Sequence, residues 1–98
     1  MSQQLSFNAA ALRELQEADA FYRKERPALG DAFLDEVERA LAQIRELPRS
    51  CPLVRRTVRK KLLRRFPYAV LYSVQSQEIR ILAIAHHKRR PFYWRGRT

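Results

Sequence analysis

The chain has 98 residues, 46% of them hydrophobic, which is enough for the core of one small domain and argues against a disordered chain. Its net charge of +10 is concentrated: residues 1–48 hold nine acids and six bases, whereas residues 49–98 hold fourteen bases and one acid, Glu78. Such a one-signed half favours a polyanionic partner, either a nucleic acid or an acidic protein. A single cysteine, Cys51, excludes an internal disulfide, and cysteines and histidines are too few for a four-ligand zinc site. We therefore expect no metal.

Hydrophobic residues in the first half of the chain recur with the spacing of two amphipathic helices. Leu5–Phe7 is predicted as a short strand, and Asn8 is a good N-cap for the first helix. That helix should end near Arg26, because Pro27 disfavours helical geometry in the residue before it. The second helix should end at Pro48, and the short connection predicts an antiparallel pair. The predicted apolar stripes are Leu12, Leu15, Ala18, Phe21 and Tyr22 in the first helix and Phe33, Val37, Ala40, Leu41 and Ile44 in the second.

The second half of the chain alternates with the period of strands. Residues 54–59 alternate loosely and residues 62–66 form a short basic stretch. Residues 68–74 are apolar on both faces, which is typical of a central strand, and residues 78–86 form the last strand. The predicted fold is α+β with the order β-α-α-β-β-β, a helical hairpin on one face of an antiparallel sheet, in a single domain over 1–98. In the last strand the expected faces are Ile79, Ile81, Ala83 and Ala85 on one side and Arg80, Leu82, Ile84 and His86 on the other.

The last thirteen residues, 86–98, combine two histidines, five cations and three aromatic side chains directly after a strand. Arginine binds phosphate in bidentate fashion, aromatic rings stack on unpaired bases, and histidine transfers protons near neutral pH. RNA cleavage by a 2′-hydroxyl needs a base, an acid and cations, and all three are present in this cluster. The alternative is that the aromatic side chains fold back onto the helices while the arginines form a solvated edge.

A second basic stretch precedes the central strand. Arg64 and Arg65 flank an apparent strand and should therefore point to opposite faces, so that at most one shares a groove with the C-terminal cluster. The alternative is an edge strand protected by its charge. His86 and His87 should also face opposite ways, and either could be a core histidine bonded to a carbonyl. The stretch consists of Arg55, Arg56, Arg59, Lys60, Lys61, Arg64 and Arg65.

Two segments carry a family resemblance, Arg65–Tyr72 (RFPYAVLY) and Ile81–Trp94 (ILAIAHHKRRPFYW). With the helix pair before them, they resemble the RelE/ParE superfamily of toxins from bacterial type II toxin–antitoxin, or plasmid stabilisation, systems. The resemblance implies the same β-α-α-β-β-β fold and a cofactor-free growth inhibitor. It also implies a cognate acidic antitoxin whose C-terminal segment folds on binding, in a toxin–antitoxin hetero-oligomer. Since neither a signal peptide nor a membrane span is visible in the sequence, we expect a cytoplasmic protein without membrane contact.

The superfamily contains two mechanisms. RelE-like members cleave mRNA in the ribosomal A site, and ParE-like members bind DNA gyrase and trap its cleavage complex. RelE-like enzymes have an arginine after the tyrosine that corresponds to Tyr68, where this chain has Ala69. The resemblance therefore favours action on gyrase, with a metal-free, ribosome-dependent endoribonuclease as the alternative. The catalytic residues of that alternative would be Arg65, His87, Arg90 and Tyr93. The residues expected to bind nucleic acid or a partner are Arg59, Lys60, Lys61, Arg64, Lys88, Arg89, Trp94, Arg95 and Arg97.

Overall fold

The fold is a pair of helices on one five-stranded sheet, seen in a computed structural model that describes residues 3–98. The sheet order is β1-β5-β4-β3-β2, which confirms the α+β arrangement expected from the sequence. The sheet is mixed, however, because β1 pairs with β5 in parallel while the other pairs are antiparallel. The elements are β1 (Gln4–Phe7), α1 (Ala9–Glu25), α2 (Pro27–Glu46), β2 (Leu53–Arg55), β3 (Val58–Leu62), β4 (Tyr68–Val74) and β5 (Glu78–His86).

The helix boundaries follow the predicted signals. The Asn8 side chain accepts a hydrogen bond of 2.8 Å from the amide of Ala10, and Pro27 is the first residue of α2. The buried stripe of α1 begins at Ala11, which is fully buried, and not at Leu12, which is 42% exposed. Leu15, Ala18 and Tyr22 belong to the helix-side cluster, as predicted. Including Leu12 in the stripe was therefore wrong, and so was including Phe21, which is 62% exposed. The small Ala11 allows α1 to lie close to the sheet.

Hydrophobic clusters cover both faces of the sheet. On the helix face, Phe33 and Val37 of α2 pack with Val70 of β4 in the larger cluster. On the opposite face, Leu71 of β4 lies in a second cluster with Trp94. The prediction that β4 is a central strand with two apolar faces is confirmed, and the second face is covered by the C-terminal residues of the same chain.

A β-bulge in β5 changes which side chains face the helices. Tyr72 pairs with Ile81 and Leu71 pairs with Ala83, so that Leu82 is an extra residue on β5. An extra residue inverts the alternation that follows it, and the faces predicted for Ala83, Ile84 and Ala85 were therefore wrong. The residues in the helix-side cluster are Ile79, Ile81 and Ile84, and those in the opposite cluster are Leu82, Ala83 and Ala85.

The basic stretch before β4 is also shaped differently from the prediction. Residues 54–59 are divided by a turn at Arg56, whose positive φ of 51° lets β2 and β3 form a tight hairpin. β3 ends at Leu62, so that 63–67 is a bend and not a strand. The expectation that Arg64 and Arg65 alternate across a strand was therefore wrong. Within residues 3–98, neither helix is long and apolar enough to span a membrane.

Candidate functional site

Residues 87–98, called here the tail segment, cross the sheet face opposite the helices in a series of turns. Trp94 anchors this segment: its side chain is only 6% exposed and packs with Val58, Leu71 and Leu82. The alternative that Tyr93 and Trp94 fold back onto the helices is wrong for Trp94, which lies on the other side of the sheet. The tail segment thus completes the second hydrophobic cluster, while its basic residues other than Arg97 stay exposed.

Glu14 on α1 fixes the tail segment to the body of the protein. Its Oε1 accepts hydrogen bonds from the amide of Ile84 at 3.0 Å and from Arg97 Nη1 at 2.9 Å. Its Oε2 accepts from the Tyr93 hydroxyl at 2.8 Å and from Arg97 Nη2 at 3.1 Å. Arg97 Nη1 also donates to the carbonyl of Leu82 at 3.0 Å. We call Glu14, Tyr93 and Arg97 the Glu14 clamp. No local sequence signal indicates this clamp, since Glu14 precedes its partners by about seventy residues or more.

The clamp determines the chemistry available to Tyr93. Burial, followed by the hydrogen bond to Glu14, raises the pKa of the Tyr93 hydroxyl well above its usual range. Its ring is covered by the Arg89 guanidinium, with 4.0 Å from Cζ to the ring centroid, which is a close cation–π contact. A hydroxyl group is a poor general acid when its pKa is raised and its proton is already donated in a hydrogen bond. Tyr93 here positions Arg89 and closes the clamp.

The tail segment and the sheet enclose a groove of about 420 Å³, called here the tail groove. Its floor is apolar, with Leu71 and Trp94 among the residues that line it, and its rim carries Lys60, Arg89 and Arg90. Such a surface fits a partner that has apolar anchors surrounded by acidic groups. The remaining lining residues are Val54, Ala69, Ala85, His86, His87, Pro91, Phe92 and Tyr93.

A second groove, of about 390 Å³, lies between α2 and the bend after β3, and we call it the α2–β3 groove. Lys61, Arg64 and Arg65 line it, and none of its lining residues is shared with the tail groove. The structure therefore brings His87, Arg90 and Tyr93 together in one groove and places Arg65 in another.

The other predicted binding residues are dispersed. Arg59 donates to the carbonyls of Arg49 and Cys51 at 3.1 and 2.6 Å, holding the chain after α2 against β3. Lys88 is exposed, and its amide donates to Nδ1 of His86 at 3.0 Å. This bond makes His86 Nδ1 an acceptor, so the predicted bond from a histidine to a carbonyl is not the one formed there.

The cations do not form one continuous surface. Lys60 and Lys61 are neighbours on β3 and point to opposite faces, which is why they line different grooves. Arg95 and Arg97 line a third groove together with Arg55. The basic half of the chain thus presents several separate positive surfaces around the edge of the sheet.

These features, a helical hairpin on a sheet whose far face is closed by a basic tail, define a toxin of the RelE/ParE superfamily. Residues 5–91 match the sequence model of the family described as "ParE toxin of type II toxin-antitoxin system, parDE", and the protein belongs to this family. Its fold is similar to a solved structure described as "Chromosomal ParDE TA system from P. aeruginosa". That match has a TM-score of 0.57 and 25% identity, and covers 87% of this chain and 96% of the other. No curated protein matches the sequence.

Proposed function

We propose that this type II toxin arrests growth by binding DNA gyrase in the cytoplasm and trapping its cleavage complex, without cutting RNA itself. The membership in the ParE family supports this target. The observation that carries the proposal is the separation of the nuclease candidates: Arg65 lines the α2–β3 groove, whereas His87 and Arg90 line the tail groove.

The details of the tail groove support a binding role over a catalytic one. Nuclease chemistry requires proton-transfer groups and cations that converge on one phosphate. Tyr93 has its hydroxyl proton bonded to Glu14, and Ala69, at the position where RelE-like enzymes carry an arginine, is buried in the floor of the groove. The exposed Arg89 and Arg90 next to an apolar floor instead fit the anchors of a protein interface.

We also propose that the cognate antitoxin competes for the tail groove. An acidic, disordered C-terminal segment of the antitoxin would order on binding and cover the rim cations Lys60, Arg89 and Arg90. Phe92, which is 38% exposed, extends the apolar surface beside this rim. Binding there would hide the surface proposed to contact gyrase, which explains neutralisation without any change in the toxin fold.

The experiment is controlled induction of the toxin in bacterial cells, followed by two measurements on the same culture. Gyrase-linked chromosomal breaks are scored after protein denaturation, and mRNA 5′ ends are mapped for cuts in phase with codons. We expect gyrase-linked breaks without codon-phased cuts. Codon-phased cuts without gyrase-linked breaks would replace the proposal by ribosome-dependent mRNA cleavage.

A matched pair of variants tests the surface. Arg89→Glu with Arg90→Glu should abolish growth arrest, because both cations lie on the rim of the tail groove. Arg13→Glu with Arg45→Glu changes the net charge equally at exposed positions of the two helices and should keep the arrest. Equal toxicity of the two variants, at equal soluble levels, would remove the tail groove from the mechanism.

A further inference from the structure

The positive charge of the second half of the chain is almost entirely free of carboxylate partners. Of its fourteen Lys and Arg residues, Arg97 is the only one that forms an ion pair within residues 3–98. A folded domain rarely keeps many convergent cations without a counter-charge, because their mutual repulsion costs stability. Where such cations converge, an external anion is the natural partner.

Three of these free cations converge on the α2–β3 groove, together with one cation of the first half of the chain. Arg39 comes from α2, Lys61 from β3, and Arg64 and Arg65 from the bend that follows. None of the four side chains makes a hydrogen bond or ion pair within the described residues. The Arg65 guanidinium lies over the Phe66 ring, with 5.9 Å from Cζ to the ring centroid, and the hydrogen-bond donors of all four groups are free to bind a ligand.

The acid that lines this groove forms no ion pair with the cations within residues 3–98. Glu36 is 7% exposed, and its carboxylate is occupied by the backbone amides of Arg64 and Arg65. The Arg65 amide donates to Oε2 at 3.0 Å, and the Arg64 amide donates to the same oxygen. By binding two consecutive amides, Glu36 fixes the bend and leaves both exposed arginine side chains available to solvent. Glu36 therefore shapes the groove and does not occupy the place of a ligand.

The residue types that line the groove favour one kind of nucleic acid over another. The residues that line it are Glu36, Arg39, Ala40, Gln43, Lys61, Leu62, Leu63, Arg64 and Arg65, and none is aromatic. Proteins that bind unpaired strands rely on aromatic platforms for base stacking. A groove that offers cations and an amide without such a platform fits a phosphodiester backbone whose bases are already paired.

We infer that the α2–β3 groove binds the phosphate backbone of duplex DNA through Arg39, Lys61, Arg64 and Arg65. The groove is separate from the tail groove, so this binding does not depend on whether gyrase or mRNA is the target of the toxin. Contact is sequence-independent, since it is made to phosphates alone. A toxin bound in this way would be held on the chromosome while the tail groove stays free for a protein partner.

The test measures binding of the purified full chain to a short fluorescent DNA duplex by anisotropy, over about 50–200 mM salt. A groove variant carries Arg39→Ala, Lys61→Ala, Arg64→Ala and Arg65→Ala. A control variant carries Arg13→Ala, Lys24→Ala, Arg26→Ala and Arg45→Ala, which removes the same charge from exposed positions on the two helices and at the junction between them. We expect the groove variant to bind roughly 10²–10³-fold more weakly, with a salt slope shallower by about 3–4, whereas the control changes the slope by less than about one.

Four results would overturn the inference. The first is an equal loss of affinity in both variants, which would mean that binding follows net charge alone. The second is tighter binding of the wild type to single-stranded RNA than to the duplex. The third is no duplex binding at the lowest salt. The double variant Arg64→Ala with Arg65→Ala keeps both backbone amides on Glu36 and so preserves the bend. Its salt slope should change by about half as much as that of the groove variant. Full wild-type affinity of this folded double variant would also contradict the inference.

Discussion

The Glu14 clamp should control both the stability of the toxin and the docking of its tail segment. Glu14 and Arg97 have side chains only 13% and 18% exposed, and the carboxylate receives four hydrogen bonds from three residues. Breaking a buried pair by removing one partner leaves an uncompensated charge and typically costs about 3–5 kcal/mol. We therefore expect Glu14→Ala to lower the free energy of unfolding by about 3–5 kcal/mol.

A graded series of variants separates the parts of this effect. Glu14→Gln keeps the size of the side chain, but its NH2 group, a donor, must face a donor of Tyr93 or Arg97. We therefore expect the free energy of unfolding to fall by about 2 kcal/mol. Tyr93→Phe removes a single hydroxyl bond and should cost about 1–2 kcal/mol. Glu17→Gln, at an exposed position of the same helix, is the control and should cost less than about 0.5 kcal/mol.

Urea unfolding followed by circular dichroism gives these free energies, and Trp94 reports on the tail segment. It is the only tryptophan of the chain and is buried, so its release should move its fluorescence to longer wavelength. We expect this shift in Glu14→Ala at urea concentrations too low to unfold the sheet. The clamp would be refuted if Glu14→Ala and Glu14→Gln both matched Glu17→Gln in stability and in Trp94 emission.

Three further predictions concern packing and association. Val37→Ala should cost about 2–4 kcal/mol in urea unfolding and Leu12→Ala less than about 1, because only Val37 is buried; equal costs would contradict the assigned stripe. Gly30→Ala should cost about 1–3 kcal/mol, since the new Cβ would lie 2.9 Å from the Arg23 Cβ, and an unchanged melting temperature would show that the helices can separate freely. Arg89→Glu should slow antitoxin association several-fold at low salt, as measured by stopped-flow mixing, and leave the dissociation rate nearly unchanged. A change in the dissociation rate alone would argue against electrostatic steering of the antitoxin by the rim cations.

Local signals in the sequence were sufficient to predict the helical hairpin. Asn8 and Pro27 act through their own backbone geometry, and their effects do not depend on distant residues. The faces of β5 were predictable only as far as the bulge, because the extra Leu82 is defined by its register with β4 and has no local signature. The exposure of Leu12 is likewise decided by how closely α1 approaches the sheet.

The residue types of the candidate site were predicted from the sequence, but their arrangement in space was not. The concentration of Arg89, Arg90 and Trp94 at the end of the chain indicated a functional tail, and these residues do line one groove. The role of Glu14 was missed, because a single acid on an amphipathic helix looks like any solvated residue. Glu36 was missed for the same reason, although it shapes the bend that carries two arginines.

The central claim is that the tail groove acts on DNA gyrase as a protein ligand. Its most direct test is an assay with purified gyrase, supercoiled plasmid and toxin, in which cleavage complexes are released by protein denaturation. The account predicts that linear plasmid accumulates with the wild-type toxin and not with the Arg89→Glu, Arg90→Glu variant. A plasmid left uncut at every toxin concentration, with cleavage of ribosome-bound mRNA by the same preparation, would contradict it.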